Sequence, residues 1–152
     1  MTRIETAERL AIEELVFEFA RRIDHEFAVD NELLFAHDAY FEYDGRSNQG
    51  RADIRAAYDA RRARSVRTAR HVFTNLVVRR DERGGLLGTS IMLLFAADGP
   101  PPIEFAAPIV VADVEDAYVL VEGEYLFARR VITPVFVEGA RPAVLPLGER
   151  HH

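Results

Sequence analysis

An α+β fold, a curved antiparallel sheet wrapped around N-terminal helices, is what this 152-residue sequence predicts. Three observations lead there. Apolar residues in the first third of the chain recur at three- and four-residue spacing, the period of a helix with one buried face. From Ala69 onward the period becomes two, and Gly-, Pro- and Asp-containing clusters separate long β-rich runs. Helices that precede strands, instead of alternating with them, indicate α+β.

The run from Glu5 to Ala28 sets Ile12, Leu15, Val16, Phe19, Ile23 and Phe27 on one stripe, with Thr6 available to cap its start. Asp30 is a suitable N-cap for a short helix over Asn31 to Ala36. Ala39 to Asp44, AYFEYD, alternates as a strand, and Gly45 to Gly50, GRSNQG, is turn chemistry. Arg51 to Val66 predicts a second helix with Ile54, Ala57, Tyr58 and Ala60 or Ala63 inward. Ala69 to Arg80 and Leu86 to Ala97 form a hairpin around DERGG. Ile103 to Glu115 and Tyr118 to Val131 are two further long strands, joined by a turn around Asp116. A sheet of this kind closing around the first helix forms a cone whose inner face lines a pocket. The segment from Thr133 to Gly148 holds three prolines but also Val135, Phe136, Val144 and Leu145, too apolar for a free tail. It is expected to extend the last strand and then cover the pocket mouth or a neighbouring subunit. The whole, 1–152, reads as a single domain with 133–152 as a C-terminal extension. His151 and His152 are compatible with either native sequence or a tag.

Composition narrows the chemistry. Hydrophobic residues make up 49% of the chain, enough for a real core, and a formal charge of −6 argues against a nucleic-acid partner. No segment approaches the roughly 20 apolar residues of a membrane span, and MTRIETAERL is charged and helical in pattern, unlike a signal peptide, so the default expectation is cytoplasmic. The absence of Cys removes disulfides and thiolate catalysis. All 19 basic residues are Arg, which removes Schiff-base chemistry and the P-loop lysine. His25 and His37 have no ligand spacing with each other or with His71, so no metal site is expected. The run of Arg61, Arg62, Arg64, Arg67 and Arg70 reads as a solvated helix face or a subunit contact. Ser47, Ser65 and Ser90 lie in no nucleophile elbow.

One stretch does carry chemistry. In ARHVFTNLVV, alternation puts His71, Phe73, Asn75 and Val77 on one face of a buried strand. A buried imidazole needs partners, because an unpaired polar group costs about 1–3 kcal/mol. Asp24 is the candidate partner, since Phe17, Ala20, Phe27 and Ala28 surround it on an apolar stripe of the first helix. An Asp on one ring nitrogen fixes the tautomer and leaves the other nitrogen to move protons. Asn75, two positions along, is a candidate donor to a substrate carbonyl. Phe73, Met92, Phe105 and Phe127 are pocket wall or core, which suits an apolar or aromatic ligand.

FARRIDHEFAVDNELLFAHDAYFEYDG, then GRADI, ARHVFTNL and EYLFARRVI, in this order and spacing, resemble the nuclear transport factor 2-like superfamily. Within it the chain resembles the scytalone dehydratase-like and SnoaL-like polyketide cyclase branch, over roughly residues 5 to 137. In scytalone dehydratase-like enzymes an Asp ending the first helix orients a pocket His, positions that Asp24 and His71 match, and Tyr43 matches a Tyr that polarises substrate. A second pocket His of that enzyme and the Tyr preceding its Asp have no counterpart; Ile23 precedes Asp24. The resemblance implies a cofactor-independent lyase or isomerase, a dehydratase or cyclase, acting by proton transfer on a small hydrophobic, carbonyl-bearing or polyketide-like molecule. His71 would be general base and acid, Asp24 its orienter, and Tyr43, Asn75 and Phe73 substrate contacts. It also admits a noncatalytic subunit like the β-subunits of ring-hydroxylating dioxygenases, or a ligand-binding module. Either way it implies a homodimer or homotrimer, with no nucleic-acid or membrane partner.

Overall fold

The computed structural model describes residues 4–104 and 109–138. Helix α1 (Thr6–Glu26) is followed by a 3₁₀ turn (Asn31–Leu34), strands β1 (Phe35–Tyr43) and β2 (Arg46–Gln49), and helix α2 (Arg51–Arg62). Strands β3 (Arg67–Arg80), β4 (Leu86–Asp98), β5 (Val110–Val121) and β6 (Glu124–Val137) complete one curved, open sheet in the order β2-β1-β6-β5-β4-β3. All pairings are antiparallel except β1 with β6. The α+β class and the curved sheet agree with the sequence reading. Phe105, the segment from 139 onward, His151 and His152 lie outside the described residues; Thr133 to Val137 continue β6.

α1 starts with a capping box formed by Glu5 and Glu8, not with Thr6. It buries Ile12, Leu15, Val16, Phe19 and Ile23 against the sheet, while Phe17 and Phe27 are exposed. Phe19 is the hub. Its ring meets Phe35, Phe41, Phe73 and Phe127 edge-on at centroid distances of 6.1, 6.2, 6.0 and 5.8 Å, a favourable arrangement for aromatic quadrupoles.

Further sequence expectations need correction: the short helix ends at Leu34, so β1 begins at Phe35 and not at Ala39, and residues 103 and 104 are not strand. Asp30 adopts a left-handed backbone and its side chain caps nothing. Arg46–Gln49 form a short edge strand, because the turn narrows to Asp44–Gly45, both at positive φ. α2 ends at Arg62, short of Val66. The hairpin expected around Asp116 turns instead at Glu122–Gly123, where φ is 51° and 85°, as a primed two-residue turn requires.

Asp116 is therefore a mid-strand residue, opposite Arg130 on β6. The Arg130 side chain is fully buried, with Nε 3.0 Å from Asp116 Oδ1 and Nη2 donating to Oδ2 at 3.2 Å. The Tyr118 hydroxyl donates to the same Oδ2 at 3.1 Å. The Arg130 guanidinium carbon lies 4.3 Å from the Phe19 ring centroid, 4.3 Å from that of Phe127 and 4.7 Å from that of Phe73. Arg130 thus ties the middle of the sheet to α1 through cation–π contacts. Gly88 leaves room for this group: a Cβ there would collide with the Tyr118 hydroxyl.

Removing one member of a buried ion pair strands the other charge. Arg130→Met and Asp116→Leu are each expected to lose about 3–5 kcal/mol of unfolding free energy, and the Asp116→Leu/Arg130→Met double variant less than either single. Urea denaturation measures this; losses that simply add would show that the two residues do not act as a unit.

Candidate active site

β3 is an edge strand, so the N–H groups on its outer side have no strand to pair with. At His71 that donor is taken by α1: the backbone N–H donates to Asp24 Oδ2 at 2.7 Å. The other carboxylate oxygen, Oδ1, lies 2.6 Å from His71 Nδ1. A carboxylate only accepts, so Nδ1 carries the proton and Nε2 presents a lone pair. Burial pushes His71 below the usual histidine value, with the charges of Arg61 and Arg67 adding to the effect, while the Asp24 hydrogen bond and charge oppose it.

His71 lines a chamber of about 30 Å³ walled by Phe19, Ile23, Phe41, Met92, Leu94 and Ile132. Its remaining lining residues are polar: Tyr43, Tyr58, Arg61 and Arg67. Burial raises the Tyr58 phenol above its ordinary value, which keeps it a proton-bearing donor at neutral pH. Beside it, sharing Arg61 and Arg67, lies a larger vestibule of about 330 Å³, lined also by Phe27, Val29, Arg62, Arg64, Ser65, Val66 and Asp98. Its wall is held by Arg62, whose Nη1 donates to the carbonyls of Phe27 at 3.2 Å and Ala28 at 3.0 Å. Those two residues sit in the left-handed region, at φ 53° and 60°.

A family model for the SnoaL-like domain matches residues 5–131. The chain belongs to the SnoaL-like domain family. Among solved structures it is similar to ActVI-ORFA from Streptomyces coelicolor, with a TM-score of 0.73 at 22% identity over 88% of this chain and 99% of that one. It is also similar to a provisionally named scytalone dehydratase from Novosphingobium aromaticivorans, with a TM-score of 0.77 at 18% identity over 96% of each chain. A Nostoc punctiforme protein of unknown function with a cystatin-like fold gives 0.71 at 19% identity over 88% of this chain and 95% of that one. At such identities the likeness establishes a shared fold. A search of curated proteins finds no match.

In this SnoaL-like chain, Asp24 and His71 meet, and Tyr43 joins His71 on the chamber wall. Asn75 and Phe73 do not line the chamber. A β-bulge between Thr74 and Val77 inserts one residue into β3, with Asn75 at φ 56°, so the alternation reverses there. Asn75 is turned to the outer face of the sheet beside Thr89, Ile91 and Asp113. Phe73 keeps the parity of His71 but lies in the core, against Phe19 and Arg130. Tyr58, Arg61 and Arg67 are site residues that the sequence reading did not assign. Arg61 is one turn beyond Ala57 and Tyr58 on the inner stripe of α2, and Arg67 has the same strand parity as Ala69 and His71. That spacing was the available signal. Among the described residues no group of three or more His, Asp or Glu could hold a metal ion, and no helix is long and apolar enough to cross a membrane.

With its folded value below the ordinary one near 6.5, His71 contributes stability that is present above that pH and lost as pH falls through the folded value. An ¹⁵N-resolved NMR titration of the imidazoles should find His71 titrating below 6.5, and lower still in Asp24→Asn, which removes the influence that holds it up. A wild-type midpoint above 6.5 would contradict burial as the dominant influence.

Proposed function

We propose that this SnoaL-like protein is a cofactor-independent lyase or isomerase, of dehydratase or cyclase type, acting by proton transfer on a small hydrophobic, carbonyl-bearing or polyketide-like molecule. The observation that carries the reading is the 2.6 Å contact of Asp24 Oδ1 with His71 Nδ1 at the wall of an apolar chamber. Family membership and the fold shared with ActVI-ORFA and the provisionally named scytalone dehydratase support it.

His71 is neutral at pH 7, and Nε2 accepts a proton from the carbon beside the substrate carbonyl. The C–H electron pair moves into the carbonyl to form an enolate, whose oxygen is met by O–H groups on the wall, Tyr43 and Tyr58 being the phenols that line the chamber. Asp24 stabilises the imidazolium and keeps the ring from rotating. In a dehydration, the enolate electrons re-form the carbonyl, the new C=C bond expels the β-oxygen, and His71 returns its proton to that oxygen as water leaves. In an isomerisation the same proton returns to another carbon.

The first half-reaction can be tested before the physiological substrate is identified. In D₂O, aryl ketones and β-keto esters should exchange their α-hydrogens faster with the protein than without it, read by mass spectrometry. His71→Ala, shown to be folded by circular dichroism, should lose about a hundredfold to ten-thousandfold of that rate, the usual share of one general base. Asp24→Asn should lose rate chiefly in kcat. Undiminished exchange in folded His71→Ala would refute the role of His71. No exchange across the whole panel would favour an assembly subunit or a ligand-binding module.

A further inference from the structure

Arg61 and Arg67 line both the chamber and the vestibule, so the two spaces border on each other at these side chains. With Arg62 and Arg64 they give the mouth four arginines against one aspartate, on a protein whose formal charge is −6. Of the other polar groups there, Arg64 is solvent-exposed, while Arg62, Ser65 and Asp98 are engaged. Arg62 is bound to Asp59 and to the Phe27 and Ala28 carbonyls, and Asp98 accepts from the Ser65 hydroxyl at 3.2 Å. Arg61 is different: among the described residues no carboxylate lies within ion-pair distance of it. Asp24, a negative charge that acts on Arg61, has both oxygens committed to His71. A guanidinium carried half-buried into an apolar wall loses hydration that a bound anion would restore.

Size divides the ligand between the two spaces. The chamber, at about 30 Å³, has room for only a few atoms. The vestibule, at about 330 Å³, is large enough for a small-molecule body, and Phe27, Val29 and Val66 make part of its wall apolar. Guanidinium groups bind carboxylates in a planar, two-pronged manner that an amide or ester cannot reproduce.

We propose that Arg61 and Arg67 form a carboxylate-binding throat, and that the substrate is an aromatic or otherwise apolar carboxylic acid. Its body rests in the vestibule, its carboxylate is held at the throat, and its reacting carbon enters the chamber. The part concerning the reacting carbon rests on the function proposed above for His71; the binding of the acid does not.

Benzoate, its neutral isostere benzamide and inorganic phosphate are the probes, compared at constant ionic strength by calorimetry and by the His71 ring resonances. Benzoate should bind saturably and shift His71, and both benzamide and phosphate should bind about tenfold more weakly or worse. Arg61→Met and Arg67→Met should each weaken benzoate by about tenfold or more, while Arg79→Met, which removes a distant surface charge, should leave it within about twofold. If Arg67→Met does not fold, Arg61→Met and Arg61→Lys carry the test, with Lys intermediate because it keeps the charge without the fork. Equal binding of benzoate and benzamide, phosphate as tight as benzoate, or benzoate unaffected by Arg61→Met would overturn the proposal. His71→Ala should still bind benzoate, so a failure of the proton-transfer reading, seen in the exchange assay, is separable from a failure of the throat.

Discussion

One carboxylate joins the two halves of this structure. Asp24 accepts from the backbone and faces the ring of the same histidine, and so fastens the end of α1 to the exposed edge of the sheet while it fixes the imidazole. Each contact has its own physical reason. An unpaired edge N–H under a helix would cost about 1–3 kcal/mol, and an imidazole in an apolar wall needs a defined tautomer. At the far end of β3, Arg80 pairs with Glu8 at 2.7 Å, so the edge strand is tied to α1 at both ends. The precision of the site is inherited from helix–sheet packing and not from a loop.

What could be read from the sequence follows from where local pattern and tertiary demand agree. Asp24 and His71 were legible because each is a polar residue misplaced on an apolar face, and two such anomalies explain each other. Asn75 failed because a bulge shifts parity by one, and nothing in TNLVV marks the extra residue. Asp116 failed for the opposite reason: Asp commonly marks turns, and a buried Asp in mid-strand makes sense only once Arg130 is seen across from it. Moving the turn to Glu122–Gly123 brings the two opposite one another. Arg61 and Arg67 were legible by spacing but were absorbed into a charge run judged by composition. Periodicity, applied to charged residues as strictly as to apolar ones, would have separated them from Arg62 and Arg64.

Placing positive charge at the mouth of an acidic protein confines its influence. At physiological salt the field of an exposed charge is screened within about 8 Å, so the chain's overall repulsion of anions fades with distance from the surface. Inside the vestibule the low-dielectric walls preserve the field of the arginines. Selection by charge therefore takes place at the mouth and not during approach.

Phe19 belongs to two structures at once: it is a wall of the chamber and a face of the cage around Arg130. A substitution there that reshaped the chamber would also disturb the buried ion pair. The β4 wall is tied to the same cage one step removed, since Met92 lies directly across from Phe73 in the β3–β4 register and Phe73 is a further face of the cage around Arg130. Chamber shape and the burial of the Asp116–Arg130 pair are thus set by the same side chains, and neither wall can change volume without being felt at the ion pair.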